Sequence, residues 1–211
     1  MFDDLQGPTL IAMLLAYLIG SVSFAVVVSR AMGLADPHTY GSGNPGATNV
    51  LRTGNRKAAL LTLIGDAGKG ALAVALAHLF AARYGISEAG LTWIGLSAFI
   101  GHLFPVFHRF SGGKGVATAA GVLLALSPWL GLATLASWIT IAVFFRYSSL
   151  AALISAVFAP CFAWLMMGLT PVLLPLSLMS LLLIARHRSN IAKLIAGQET
   201  RIGQSKKPAG T

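Results

Sequence analysis

Long apolar runs, separated by short polar and glycine-rich stretches, are the dominant pattern of this chain. Five runs carry few or no charges, and they cover residues 10–28, 58–82, 91–107, 150–169 and 172–185, the last one being short. A helix that crosses about 30 Å of hydrocarbon needs roughly 20 mostly apolar residues. The pattern therefore predicts an all-α protein whose helices cross a membrane.

Residues 116–145 form a further apolar stretch that admits two interpretations. As one helix it is too long and contains Ser127-Pro128, whereas as two helices it gives short, tilted spans joined by a tight turn. A single helix would put Arg146 and the six basic residues after it on the far side of the membrane, against the positive-inside tendency. We therefore predict a hairpin and about seven transmembrane helices, with the N-terminus outside and the C-terminus in the cytoplasm.

The distribution of basic residues is the basis of this choice. Arg83 lies alone on the outer side of the predicted arrangement, and Lys69 lies inside a span. The other thirteen lysines and arginines fall on the cytoplasmic side: Arg30, Arg52, Arg56, Lys57, Arg109, Lys114, Arg146, Arg186, Arg188, Lys193, Arg201, Lys206 and Lys207.

Composition supports a membrane protein. Of the 211 residues 56% are hydrophobic and 10% are charged, which leaves too little polar surface to cover a soluble domain. The formal net charge of +9 raises the question of nucleic acid, but the basic residues are scattered between apolar runs and no nucleic-acid partner is expected. Cys161 lies in an apolar stretch, where we expect it to be buried, and a single cysteine excludes an intrachain disulfide.

The chain is predicted to form one membrane-embedded domain over residues 1–211, since no long linker or internal repeat divides it. Asp3 and Asp4 precede the first apolar run and no basic residue does, which is unlike a removable signal peptide. We expect this run to remain as a span.

Three polar segments stand between or after the apolar runs, and all three fall on the predicted cytoplasmic side. The first polar segment covers residues 40–52 and the second covers residues 109–118, and both are rich in glycine. The third polar segment covers residues 186–190 and ends the last span. Three segments distant in sequence are thus expected to meet at one membrane face.

The glycine-rich segments have the composition of an anion site. Glycines let successive backbone N–H groups turn toward one point and let a ligand approach closely. The second polar segment runs Gly112-Gly113-Lys114-Gly115 into a helix predicted to begin near Val116, so its amides and the positive end of the helix dipole should face the same anion. Arg52 in the first segment adds a second cation. Phosphate is the anion that we expect there.

Several other classes of active site are disfavoured. Gly115 follows the lysine where a Walker A loop requires Ser or Thr, and no G-x-S-x-G motif is present. No histidine stands five positions before an aspartate, the H-x-x-x-x-D arrangement that resembles the base of thioester-dependent acyltransferases. Covalent catalysis is not expected, and an activated acyl phosphate suits the site better because phosphate is a good leaving group whose charge bound cations stabilise.

A few isolated polar residues carry two interpretations. Asp66 and Lys69 are three residues apart on one helix and favour a structural ion pair, although they could also hold Arg52 or a loop in place. His102 either orients the second polar segment or only packs, and His187 either binds a phosphate or hydroxyl or lies at the interface.

The two glycine-rich segments closely resemble the signature motifs of a known family. Gly41-Ser42-Gly43-Asn44-Pro45-Gly46-Ala47-Thr48-Asn49 and the stretch from Gly101-His102-Leu103-Phe104-Pro105 to Gly112-Gly113-Lys114-Gly115-Val116-Ala117-Thr118 resemble those of the bacterial acyl-phosphate:glycerol-3-phosphate acyltransferases, the PlsY family. The resemblance extends to Gly20-Ser21 and to the third polar segment, and so covers nearly the whole chain. It implies a seven-helix inner-membrane enzyme, active at the cytoplasmic face. Such an enzyme moves a fatty acyl group from acyl phosphate to the 1-hydroxyl of glycerol 3-phosphate, yielding lysophosphatidic acid and phosphate.

The resemblance also implies roles for individual residues. Those expected to take part in catalysis are Ser42, Arg52, Lys114, His187 and Asn190. Those expected to bind substrate are Gly41, Gly43, Asn44, Thr48, Asn49, Gly112, Gly113, Gly115 and Arg188. No cofactor and no metal is expected, and the partners are the two substrates and membrane lipid, bound by a monomer. The chain departs from the family pattern at Ala25, Ser111 and Ser189, none of which removes the phosphate cradle.

Two other function classes fit parts of the pattern. A transporter for an organic phosphate also needs cations near membrane helices, but transporters usually bind substrate near the midplane between repeated halves. A scaffold could bind anionic lipid through its basic face. We retain the transporter as the alternative function.

Overall fold

The computed structural model describes residues 4–204, so Asp3, Lys206 and Lys207, which entered the predicted charge distribution, lie outside the described residues. Within that range all regular secondary structure is helical. Its α-helices are α1 (Gly7–Gly20), α2 (Phe24–Ala31), α3 (Ala47–Val50), α4 (Arg56–Tyr84), α5 (Glu88–Leu103), α6 (Val116–Leu126), α7 (Pro128–Phe145), α8 (Ser148–Met167), α9 (Leu173–Arg186) and α10 (Arg188–Ile195). Short 3₁₀ helices occupy Leu51–Thr53 and Val106–His108.

Five helical segments are long and apolar enough to cross a membrane: Gly7–Ala31, Arg56–Tyr84, Glu88–His108, Pro128–Phe145 and Ser148–Met167. Two shorter apolar helices, Val116–Leu126 and Leu173–Arg186, accompany them in the described range. These seven segments correspond to the seven predicted transmembrane helices, and the all-α membrane fold is confirmed. The number of crossings and their orientation stay predictions.

The predicted hairpin is present as two helices that meet at one residue. Ser127 ends α6 and begins α7 in an extended conformation, its hydroxyl accepts from the N–H of Leu130, and Pro128 occupies the first position of α7. Proline has no N–H to lose there, which is why this residue favours a helix start. At 11 residues, α6 is only roughly 16 Å long and thus shorter than a full crossing.

The first apolar run is broken, although its hydropathy predicted a continuous helix. The chain leaves the helix at Ser21 and resumes it at Phe24. Ser21 Oγ donates to the carbonyl of Tyr17 at 2.8 Å, and Lys69 Nζ donates to the carbonyl of Val22 at 2.6 Å. A backbone break in a membrane needs such partners, because lipid supplies none.

Close contact between backbones holds the bundle together. At Gly70 of α4 an added Cβ would overlap the carbonyl oxygen of Thr118 in α6, and at Gly121 of α6 it would overlap that of Ala67. Gly20 and Gly101 make the same kind of approach between α1 and α5. Small residues at such crossings favour association in lipid, where burial of apolar surface gives little driving force.

The outer surface of the bundle is apolar. Large exposed side chains include Leu14, Leu79, Trp129, Phe144 and Leu165. The expectation that Cys161 is buried is wrong, because the residue is exposed on α8. An apolar stretch in a membrane helix can face lipid as readily as protein, so apolar neighbours in sequence do not indicate burial.

Candidate active site

The first polar segment is shaped by the side chain of Asn49, which is only 2% exposed. Its amide nitrogen donates to the carbonyls of Pro37, at 2.8 Å, and Tyr40, at 3.2 Å, while its oxygen accepts from the backbone N–H of Ser42 at 2.9 Å. The side-chain amide of Asn49 therefore binds the backbone of its own segment and of Pro37 just before it. These hydrogen bonds hold a turn in which Ser42 is exposed.

Arg52 lies next to this turn, on the short 3₁₀ helix that follows α3. Its side chain is exposed, and Nη1 lies 3.5 Å from Oδ1 of Asn49. Asn44 is half-buried and its N–H points at Ser42 Oγ, 3.4 Å away. Thr48 is exposed, Gly43 is half-buried, and Gly41 packs against Asn49 and Arg52. The predicted residues of this segment thus surround one turn.

The second polar segment packs so closely against the end of α5 that two of its residues have room only for hydrogen at Cα. A Cβ at Gly112 would overlap the carbonyl oxygen of His102, and one at Gly113 would overlap Nε2 of the same histidine. The Gly113 N–H donates to the His102 carbonyl at 3.1 Å. His102 therefore contacts the segment, as one of its two sequence interpretations holds.

Gly115 turns the chain from the second segment into α6. Its φ of +85° lies in the left-handed region, and a Cβ there would also overlap the ring of Phe99. The backbone N–H groups of Lys114 and Gly115 have no hydrogen-bond partner within residues 4–204. The first turn of α6 adds amides without intrahelical acceptors and the positive end of its dipole. The predicted helix start at Val116 is confirmed.

Lys114 connects the second polar segment to the third. Its Nζ donates to Oδ1 of Asn190, whose Nδ2 donates in turn to Oε1 of Glu199 at 2.7 Å. Ser149 of α8 donates to the same Glu199 oxygen, also at 2.7 Å. Glu199 thereby fixes the Asn190 amide with its oxygen toward Lys114. Glu199 was not identified from the sequence. The feature that could have indicated it is an isolated acidic residue in the basic C-terminal stretch of a chain with only six acidic residues.

The surroundings of Lys114 are cationic. Burial lowers the pKa of Lys114 from its usual range, the charge of Glu199 opposes that shift, and the charges of Lys193, Arg52 and Arg186 reinforce it. The charge of Arg52 in the first polar segment thus lowers the pKa of Lys114 in the second. A group of cations with one acid among them has the electrostatics of a site for a multiply charged anion.

His187 lies buried at the end of α9 with one ring nitrogen already used. Nδ1 is 2.8 Å from the carbonyl of Leu183, which can only accept, so Nδ1 carries the hydrogen. Burial lowers the pKa of His187 to about 4, against the opposing hydrogen bond to Leu183 and with help from the charge of Lys114. At neutral pH the ring is uncharged and Nε2 is an acceptor.

Further contacts bring the polar segments together. His38, just before the first segment, lies with Nε2 at 3.1 Å from the carbonyl of Ser111 in the second. Arg186 reaches from the third segment to the carbonyls of Gly112 and Gly113. The side chain of Arg188, which was predicted to bind substrate, is in contrast exposed on the first turn of α10 and forms no hydrogen bond or ion pair within the described part of the chain.

A buried polar cluster lies beneath the segments. Lys69 Nζ is 2.9 Å from Oδ1 of Asp66, which confirms the predicted ion pair, and His102 Nδ1 is 3.5 Å from the same oxygen. The cluster joins α4, α5 and, through the Lys69 bond to Val22, the break in the first span. Its role is to tie together the elements from which the segments emerge.

Comparison with known proteins identifies relatives along nearly the whole chain. A family model described as glycerol-3-phosphate acyltransferase matches residues 10–197. The glycerol-3-phosphate acyltransferase of Ralstonia nicotianae is 70% identical over 200 residues, which cover 95% of this chain and 97% of that protein.

Two crystal structures of PlsY, an integral membrane glycerol 3-phosphate acyltransferase, have the same fold. The glycerol 3-phosphate form matches with a TM-score of 0.86 and the lysophosphatidic acid form with a TM-score of 0.84. Both are 38% identical to this chain, and each match covers 93% of this chain and 96% of the other.

Proposed function

Because this chain belongs to the glycerol-3-phosphate acyltransferase family, we propose that it acylates the 1-hydroxyl of glycerol 3-phosphate with acyl phosphate as the donor. The products are lysophosphatidic acid and inorganic phosphate. The reaction takes place at the cytoplasmic face of a bacterial inner membrane, where a monomer of the chain serves phospholipid synthesis.

The bond from Lys114 to Asn190 is the observation that supports this proposal most directly. It joins two segments that are 76 positions apart in sequence, so a cation, a free run of backbone amides and the uncharged ring of His187 lie around one place. A site with donors for a phosphate and an acceptor for a hydroxyl suits a phosphorylated donor and a phosphorylated alcohol together.

The donor phosphate is bound by backbone amides and by Lys114. The N–H groups of Lys114 and Gly115 and the first turn of α6 supply neutral donors, and Nζ supplies charge. Ser42 and the turn held by Asn49 close the site from the first segment. As the C–O bond to phosphate breaks, these groups stabilise the charge that develops on the leaving oxygens.

The acceptor is held through both of its functional ends. Arg52 and Lys114 attract its phosphate, and Asn190 and His187 bind its hydroxyls, with Ser42 near the reacting one. His187 Nε2 accepts a hydrogen bond from a hydroxyl, because Nδ1 is committed to Leu183. An imidazole with a pKa of about 4 is a weak base at neutral pH, so His187 orients the alcohol rather than deprotonating it.

The atoms of the reaction balance without a side-chain base. The hydroxyl oxygen of glycerol 3-phosphate forms a bond to the acyl carbon, and the bond from that carbon to the phosphate oxygen breaks with its electron pair on phosphate. The hydroxyl proton passes to a phosphate oxygen, which gives hydrogen phosphate. Proximity and charge stabilisation supply most of the acceleration.

The test is an acyl-transfer assay with purified protein in detergent. Palmitoyl phosphate plus glycerol 3-phosphate is expected to give lysophosphatidic acid and one equivalent of phosphate, and neither substrate alone releases phosphate. Palmitoyl-coenzyme A and palmitoyl-acyl carrier protein serve as rival donors. Faster turnover with either thioester would overturn the assignment of the donor.

A vesicle assay separates transfer from transport. In sealed proteoliposomes, labelled glycerol 3-phosphate is expected to appear as a lipid product only when acyl phosphate is present. Uptake of unmodified label without donor would favour the organophosphate transporter instead.

A further inference from the structure

Arg186, the last residue of α9, holds two adjacent carbonyl groups of the second polar segment. Its Nη2 donates to the carbonyl of Gly112 at 2.6 Å and its Nε donates to that of Gly113 at 3.2 Å. The guanidinium carbon also lies over the ring of Phe104, 5.4 Å from its centre. The half-buried side chain is therefore fixed from two sides.

These bonds determine which way two peptide groups face. In a trans peptide the N–H points opposite to the C=O. The peptide between Gly112 and Gly113 is held at both ends, by Arg186 at its oxygen and by the His102 carbonyl at its nitrogen. In the next peptide Arg186 holds the Gly113 oxygen, so the N–H of Lys114 points away from the guanidinium.

We propose that Arg186 is a positioning residue that keeps the N–H of Lys114 directed at the donor phosphate. The inference rests on the proposed function, since it assigns the ligand of that amide. The guanidinium of Arg186 donates its hydrogen bonds to protein carbonyls rather than to a substrate, which distinguishes Arg186 from Lys114.

The need for such a residue follows from the glycines. Glycine adopts either sign of φ with little cost, so two successive glycines allow their peptide groups to rotate. A rotated peptide would direct a carbonyl oxygen, in place of an N–H, at a phosphate oxygen and repel it. Arginine suits the task because its planar fork reaches two acceptors at fixed spacing, whereas lysine is a point donor.

The test compares Arg186→Met, Arg186→Lys and the matched control Lys57→Met. Lys57 is an exposed cation at the start of α4, on the same predicted membrane face, and its loss removes the same charge. Arg186→Met is expected to raise both the KM for palmitoyl phosphate and the inhibition constant of inorganic phosphate about tenfold to a hundredfold. The KM for glycerol 3-phosphate should change less than about threefold, and Arg186→Lys should restore only part of the loss.

A second readout is independent of turnover. A ligand that binds only the folded protein raises its melting temperature, and inorganic phosphate is the probe for this measurement. We expect this rise in the wild type and in Lys57→Met, and its loss in Arg186→Met at equal folded fraction. If the wild type fails to acylate glycerol 3-phosphate but Arg186→Met still loses the phosphate effect, only the proposed function is overturned.

The inference is overturned by an unchanged phosphate inhibition constant in folded Arg186→Met. It is also overturned if kcat falls while the KM for palmitoyl phosphate stays at the wild-type value, because that pattern indicates a general structural role. Full activity of Arg186→Lys would also overturn the inference, because the fork that reaches two carbonyls would then be unnecessary.

Discussion

At the scale of single residues, Lys114 is the group to which we assign the most direct part in the proposed reaction. Replacing it with alanine removes the cation beside the free amides and the donor to Asn190. We expect kcat/KM to fall about a hundredfold to a thousandfold, the usual cost of removing a preorganised donor from a developing negative charge. Initial rates with palmitoyl phosphate and glycerol 3-phosphate measure it, and Lys57→Met should stay within about twofold of the wild type. A loss of less than about tenfold in Lys114→Ala would contradict this role.

His187 gives a prediction about pH. Its folded-state pKa of about 4 lies below the ordinary value, so the ring is uncharged throughout the range from about pH 5.5 to pH 8. The ratio of kcat/KM between wild type and His187→Asn should therefore be constant in that range. As the pH falls through about 4, Nε2 becomes protonated, stops accepting from a hydroxyl, and the ratio should drop toward one. A ratio that changes around pH 6.5 would show that His187 titrates as an ordinary histidine.

The residue-level contacts mark the limit of sequence reasoning about the site. Lys114 and the glycines around it could be predicted from the sequence, because glycines and a lysine directly before a helix start are typical of an anion site. Glu199 and Arg186 could not be found in this way, because Glu199 binds Asn190 nine positions away and Arg186 binds backbone carbonyls 73 and 74 positions away, and local sequence does not show such contacts. The inward orientation of the Asn49 amide was also hidden, because an asparagine in a turn can face either way.

At the scale of helices, the crossing of α4 and α6 is a contact sensitive to substitution. Gly70 faces the backbone of Thr118, whereas Gly68 on the same helix has nothing within 4 Å of its added Cβ. Gly70→Ala should destabilise the protein by about 1–3 kcal/mol through overpacking, and Gly68→Ala should be neutral or slightly stabilising. Thermal unfolding in detergent, followed by the loss of soluble folded protein, compares the two. Equal melting temperatures would mean that the two helices separate readily.

Hydropathy was sufficient to predict which parts of the chain are helical. The ends of the helices could be predicted only where a residue at the end itself interrupts the helix. Ser127-Pro128 divides two helices through its own chemistry. The break after Gly20 depends instead on Lys69, which is 47 positions from Val22, and on the close approach of α5. An apolar pattern is insensitive to such a partner, so the run was predicted as one helix.

At the scale of the whole molecule, the arrangement of the three polar segments predicts sidedness. In a Cys161→Ser background, Tyr84→Cys at the end of α4 and Ser111→Cys in the second polar segment lie at exposed positions. A membrane-impermeant thiol reagent added to intact spheroplasts should label the first and spare the second, which becomes reactive after permeabilisation. Labelling of both without permeabilisation, or the reverse pattern, would contradict the proposed orientation.

The glycines of the second polar segment also bear on drug resistance. A compound that bound the backbone N–H groups of Lys114 and Gly115 would depend on main-chain atoms. A point mutation removes a backbone N–H only when it introduces proline. Gly112, Gly113 and Gly115 have no room for a side chain either, so changing the shape of the loop would harm the protein itself. Few substitutions would therefore confer resistance to an inhibitor that binds this loop.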